Sequence, residues 1–250
     1  MDAQQVAPGV HRVESHGVVN WYLVEDAGRL AAIDAGLPPD WDTFTRVVRA
    51  LGRVPDDLEA VVLTHAHVDH TGFADRARTD AGATVYLPEG DRRLAEHQLR
   101  GMKTERNVAP YLVRYGAARS LYTAIVRSGA LRSRPLREFE TYSDNATLAK
   151  VPGEPVAVAT PGHTDGHMAL LLADRDVLFT GDALVTRDPY TGRTGPRLVA
   201  LAATADAQQA LASLDRIGSI SANTLLPGHG EPFSEGADEA ARMARDAGAA

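Results

Sequence analysis

The sequence contains no cysteine. This excludes a disulfide framework, a thiolate-ligated zinc site and a thiol nucleophile, while leaving the compartment open. Long hydrophobic runs are also lacking. The stretch MALLLA at 168–173 falls far short of the roughly 20 apolar residues a membrane-spanning helix needs. The opening MDAQQVAPGV has neither the basic region nor the apolar region of a secretory signal, so a cytoplasmic protein is the expectation. Positive charge is in deficit: 26 Lys and Arg against 33 Asp and Glu leave a formal charge of −7. A surface of that sign offers no electrostatic footprint for nucleic acid, and a membrane partner is not expected either. Internal repeats and low-complexity segments are absent as well. What remains is an ordinary globular composition, 44% hydrophobic and 24% charged over 250 residues. That length is enough for one large core or two small ones.

The first third alternates in short runs rich in β-branched and aromatic residues. GVHRVES (9–15), VVNWYLVED (18–26) and RLAAIDAG (29–36) predict an antiparallel meander. DWDTFTRVVRALG (40–52) changes period, with Phe44, Val47, Val48 and Leu51 on one helical face and Gly52 as a stop. AVVLTH (60–65) is continuous enough in apolar residues to be a buried strand. A helix over 72–81 and a strand over 83–88 follow. From 147 onward strands are predicted at TLAKV (147–151), PVAVAT (155–160), MALLLA (168–173), DVLFTG (176–181) and NTLLPG (223–228). Helices are predicted over 205–218 and 234–248. Strands then helix, twice over, imply two halves packed as sheets between helices, an α/β (α+β) architecture.

Residues 89–137 break the pattern. Eleven basic residues stand there against four acidic ones. The local charge is +7 in a chain of −7 overall, which leaves −14 for the remainder. Tyr111, Leu112, Tyr115, Leu121, Tyr122, Ile125 and Val126 supply apolar helical faces. The segment reads as a helical insert in a single domain spanning 1–250.

The chemistry concentrates in THAHVDH at 64–70, where three histidines and an aspartate occupy six positions after a buried strand. His65 and His67 differ by two and point the same way from an extended end. Asp69 and His70 follow as the chain turns. Burying such groups without a partner is costly, and a metal removes the cost. Three further strand ends repeat the logic. TPGHTDGH (160–167) offers His163, FTGDAL (179–184) offers Asp182, and LLPGHGEPF (225–233) offers His229 beside two glycines. Side chains from four strand ends would meet at one sheet edge, on a rigid scaffold.

In that order, HAHVDH, a separated His, a separated Asp and a His in PGHG resemble the metallo-β-lactamase superfamily. The resemblance covers nearly all of the chain outside the insert. It implies a four-layer αββα sandwich with two divalent metal ions at the sheet edge, zinc first, with iron or manganese as alternatives. It further implies His65, His67 and His163 on one ion, Asp69, His70 and His229 on the other, and Asp182 between them. His167 and Asp34 are then expected to support ligands rather than bind metal, and Asn20 to be a satisfied strand or turn residue. His11, His16 and His97 carry no motif.

Asp182 is similar to the shared aspartate of glyoxalase II-like and lactonase-like hydrolases. The antibiotic-hydrolysing β-lactamases carry Cys or Ser at the comparable place. Ala183, Leu184, Val185 and Thr186 follow Asp182, without the tyrosine that lactonases have shortly after it. What the resemblance implies is a dinuclear hydrolase of a small-molecule ester, thioester or lactone, with a hydroxide bridging the metals and Asp69 orienting it. The alternative is a mononuclear-iron oxygenase or redox member of the fold. Flavodiiron proteins, however, have Glu where His67 stands. The insert is expected to cap the metal site and to favour anionic or acyl-bearing substrates.

Overall fold

The computed structural model describes residues 3–97, 103–132 and 135–248. Arg100 and Arg134 of the basic segment lie outside them. The first sheet has seven strands in sequence order: β1 (Gln4–Ala7), β2 (Val10–Ser15), β3 (Val19–Asp26), β4 (Arg29–Ile33), β5 (Leu58–Val62), β6 (Thr84–Pro88) and β7 (Glu140–Tyr142). The pairings from β1 to β4 are antiparallel, as the meander predicts, and those from β4 to β7 are parallel. The second sheet contains β8 (Val156–Ala159), β9 (Met168–Leu172), β10 (Val177–Gly181) and β13 (Thr224–Pro227), ordered β13-β10-β9-β8. A small hairpin, β11 (Val185–Arg187) and β12 (Thr194–Arg197), stands apart.

The period of two explains the layering. On β3, Trp21 and Leu23 enter one core while Tyr22 and Val24 enter another; on β4, Leu30 and Ala32 part from Ala31 and Ile33 in the same way. The first set packs with Phe44, Val47 and Val48 of α1 (Asp40–Ala50) and with Ala74 and Ala77 of α2 (Ala74–Ala81). The second set meets Leu170, Leu172, Val177 and Phe179 of the other sheet. On that sheet's far side, Leu178 and Ala169 pack with Leu214 and Ile217 of one helix and Ala240 and Ala244 of another. Those helices span Ala207–Gly218 and Ala237–Ala247. The result is the predicted αββα sandwich, both faces of each sheet being covered.

The structure departs from the sequence pattern in several places; the helices expected over 205–218 and 234–248, for instance, begin at Ala207 and Ala237. TLAKV is not a strand: only Thr147 makes an isolated bridge, to Val156. Leu148 and Val151 enter the core between the sheets from a turn closed by the Val151 N–H on Leu148 O at 2.8 Å. Gly153 and Glu154, both at positive φ, complete that turn. The helix expected from 72 begins at Ala74, because Gly72 is pressed against the backbone of Leu37, where a Cβ would come within 2.2 Å.

The insert leaves the first sheet after β6 and returns at β7. It holds α3 (Arg92–Glu96), α4 (Ala109–Arg114) and α5 (Gly116–Arg127). In chain order the two C-terminal helices are α6 (Ala207–Gly218) and α7 (Ala237–Ala247). Leu94, Ala95 and Leu136, near the insert's ends, pack into the α1/α2 core. Among the described residues no helix is long and apolar enough to cross a membrane.

Candidate metal centre

β5, β8, β10 and β13 all end on the same rim, and each delivers part of the cluster from the loop that follows. His65, His67, Asp69 and His70 come after β5, His163 after β8, Asp182 after β10 and His229 after β13. All seven sequence-predicted residues are buried. Ligand-type atoms of His65, His67 and His163 lie within 4.8 Å of one another, as do those of Asp69, His70 and His229. Asp182 sits between the two groups. Its Oδ1 is 3.5 Å from His70 Nε2, and its Oδ2 is 3.4 Å from His163 Nε2 and 3.2 Å from His229 Nε2. Asp69 Oδ2 lies 3.7 Å from His229 Nε2.

Hydrogen bonds behind the cluster fix which nitrogen each imidazole presents. Asp34, at positive φ, accepts the Thr64 N–H at 2.7 Å and the His70 Nδ1–H at 2.9 Å. It also accepts the Thr64 hydroxyl proton at 2.9 Å. With that proton committed, Thr64 Oγ1 accepts from His65 Nδ1–H at 3.0 Å. His229 Nδ1–H donates to Val18 O. His65, His70 and His229 therefore all have Nδ1 engaged from behind and turn Nε2 inward, which is the arrangement that supports metal ligation. A third group formed by Asp34, His65 and His70 is equally compact, but the carboxylate of Asp34 is consumed by these hydrogen bonds. His167, expected as support, accepts the Asp182 N–H on Nε2 at 3.0 Å and faces Thr160 Oγ1 with Nδ1 at 2.8 Å. It positions the backbone of Asp182.

The donor set suits a cation. His65 Nε2, His70 Nε2, His163 Nδ1 and Asp182 Oδ1 are buried without a hydrogen-bond partner. Orphans of that kind are rare in protein interiors and call for an explanation such as an ion. His67 Nδ1 and His163 Nε2 lie 2.9 Å apart, within hydrogen-bond distance of each other. Burial pushes His65, His67 and His163 below the usual imidazole range, so they stay neutral. Burial also opposes charge on His70, but Asp182 and Asp34 outweigh it and raise His70 to about 10. Burial works against ionised Asp182, yet His229, His70 and His163 hold its carboxyl well below the ordinary range. Nitrogen and carboxylate donors without sulfur fit zinc, iron or manganese.

Asn20 is satisfied, as expected, and it also ties the two sheets together at the site. Its Nδ2 donates to Pro227 O at 2.9 Å and Gly230 O at 2.7 Å, and its Oδ1 accepts from Arg12 Nε at 3.0 Å. Gly228 is required there because a Cβ would fall 2.2 Å from Asp182 Oδ1 and 2.7 Å from His70 Cε1. His11 pairs with Glu25 at 2.7 Å, away from the cluster.

Two residues escape a reading of the sequence. Asp91 accepts the Ala66 N–H at 2.9 Å and the Thr164 hydroxyl at 2.8 Å on Oδ2, and the Gly166 N–H at 2.8 Å on Oδ1. It thereby clamps the His65–His67 loop to the His163 loop. Asp91→Asn replaces one acceptor by a donor among three donors, so the unfolding free energy should fall by about 1–3 kcal/mol. Denaturant unfolding with an unchanged m-value checks this; a stability equal to the parent chain removes Asp91 from that position.

The second is Tyr190, which lines a cavity of 520 Å³ together with His67, Asp69, His163, Asp182 and His229. Burial, then Asp69, Asp182 and Asp188, push its phenol further up, so it stays a donor. The apolar walls of the cavity come from Val68, Leu121, Ile125 and Ala202, two of them on α5.

Comparisons with known proteins give the family and the fold. The family model described as the metallo-beta-lactamase superfamily matches residues 15–229. The uncharacterized protein YobT of Bacillus subtilis is 31% identical over 170 residues, 68% of this chain and 63% of YobT. The chain thus spans less than two thirds of that relative. The probable metallo-hydrolase YflN of Bacillus subtilis is 24% identical over 92% of this chain and 87% of its own. In fold, the chain is similar to the metallo-beta-lactamase family protein TTHA1429 of Thermus thermophilus. The TM-score is 0.67 at 24% identity, covering 95% of this chain and 78% of that one.

Proposed function

Because the chain belongs to the metallo-β-lactamase superfamily, we propose that it is a dinuclear metal-dependent hydrolase of a small-molecule ester, thioester or lactone. The observation that carries this reading is Asp182, whose two oxygens face histidines of both groups at the floor of a largely apolar cavity. His65, His67 and His163 would hold one ion and Asp69, His70 and His229 the other, with Asp182 shared. Bound there, divalent cations, zinc first among them, supply an acidified water and polarisation of a carbonyl. The probable metallo-hydrolase name of YflN supports the same reading.

The chain's own residues do the rest. Asp69 reaches the cavity and is placed to take a proton from the attacking water and hold it in line. The apolar walls exclude bulk water, which strengthens every charge interaction inside. Tyr190 offers a protonated phenol to the substrate oxygen on which negative charge develops. Tyr190→Phe should lower kcat by about tenfold with little change in KM, a modest case of a lost oxyanion donor. An unchanged kcat places the phenol outside the reaction.

The reading is tested by elemental analysis of the purified chain and a screen of activated esters, lactones and acyl thioesters. Two metals per chain and turnover without oxygen support it. One tightly bound iron with oxygen uptake favours the oxygenase alternative instead.

A further inference from the structure

Beyond the catalytic cavity lies a second one of 600 Å³, whose charged lining is Arg106, Arg114 and Arg193 with a single carboxylate, Glu105. Glu105 is already engaged, since its Oε1 accepts the Ala207 N–H at 2.7 Å. Among the described residues no carboxylate pairs with any of the three arginines. An unpaired guanidinium on a surface is ordinary. Three around one concavity, beside Tyr111 and Tyr115 and against a single carboxylate, are a concentration of donors in excess of acceptors.

Their backbones are held against the core. Glu105 N–H donates to Thr204 O at 2.9 Å and Arg106 N–H to Leu201 O at 3.1 Å. Arg193 follows β11, in a turn organised by the buried carboxylate of Asp188. That carboxylate accepts the Tyr190 N–H at 3.1 Å and the Thr191 N–H at 3.3 Å, while Asp188 N–H donates to Arg193 O at 2.9 Å. Arg114 lies over the Tyr115 ring, 5.4 Å from its centroid.

The two cavities adjoin. Asn107 lines both. Tyr111 of the arginine pocket meets Tyr190 of the catalytic cavity edge-on, with centroids 6.1 Å apart. A substrate with its scissile carbonyl beside Asp69 and Asp182 can run along the apolar wall past Asn107 and end among the arginines. Guanidinium groups match the planar or tetrahedral oxyanions of carboxylates and phosphates through paired N–H donors.

We infer that this pocket binds a terminal oxyanion of the substrate, phosphate or carboxylate, carried at the far end of an apolar acyl or alcohol portion. The inference rests on the hydrolase reading for the word substrate, but the pocket's affinity for an anion does not.

Two experiments separate these. The first titrates the metal-loaded protein with octyl phosphate, octanoate and octanol by calorimetry. The anions should bind at least about tenfold more tightly than octanol, a gap of about 1.4 kcal/mol. Combined Arg106→Ala, Arg114→Ala and Arg193→Ala should erase the gap, whereas Arg127→Ala, on the same insert but outside the pocket, should keep it. An anion affinity that survives the triple substitution overturns the pocket, the anion then sitting elsewhere. No gap in the parent chain overturns it too, the arginines being merely solvated. Comparison of phosphate with carboxylate shows which oxyanion fits better.

The second experiment compares kcat/KM for esters of one leaving group ending in methyl, carboxylate or phosphate. The ratio of anionic to neutral substrate should fall about tenfold or more in the triple variant and fall with added salt in the parent. A ratio unmoved by the triple substitution refutes the inference. If no ester is turned over while the calorimetric gap holds, the hydrolase reading fails and the anion site stands.

Discussion

Asp182→Ala should reduce bound metal from two ions to fewer than one per chain and turnover by more than about a hundredfold. Even residues that only support a ligand cost 10- to 100-fold in metal affinity or activity, and Asp182 stands closer than that. Its carboxylate is within 3.5 Å of three imidazole nitrogens from three different loops. Without it, His70 and His229 lose the main charge that raises them, and nothing neutral replaces the anion between the two groups. Elemental analysis of the folded variant decides the matter. Finding one tightly held metal both before and after the substitution would refute the dinuclear centre.

Asp69→Asn should leave the fold intact and lower kcat by about 10²–10⁴-fold, the usual range for a lost general base. Asp69 is buried near His229 but faces the cavity, so an isosteric amide keeps the packing and loses the charge. An effect confined to kcat, with circular dichroism and KM near the parent values, marks an interaction made mainly in the transition state. A correctly folded Asp69→Asn protein with near-normal turnover would show that another group manages the proton.

The cluster is legible in the sequence because every member follows a strongly apolar strand and four of them share one heptapeptide. Asp34 and His167 are legible by their proximity in sequence to strand ends and ligands. Asp91 is not. It stands in EGDRR, where nothing local distinguishes a clamp from a solvated charge, and its partners Thr164 and Gly166 are more than 70 positions away. Tyr190 escapes because the tyrosine signal is sought just after Asp182, whereas β11 and a turn carry the ring back to the cavity eight residues later. The layers follow from period-two alternation on β3 and β4. The pattern misses β1, β7, β11 and β12, three or four residues each and largely polar or exposed, whereas β8 and β13, equally short, are found by their apolar runs. It also fails at TLAKV, where two apolar residues three apart anchor a turn.

The seven cluster residues are split between the sheets: four come from the loop after β5, and three from loops after β8, β10 and β13. Neither half of the molecule holds the His65–His67–His163 group or the Asp69–His70–His229 group whole. Asn20 and Tyr22 on β3 reach Pro227 across the divide, so the same contacts that join the halves also bring the two half-sets into register. The groups His65–His67–His163 and Asp69–His70–His229 are therefore completed only when both sheets are in place, so whatever they hold also reports on how the two sheets meet.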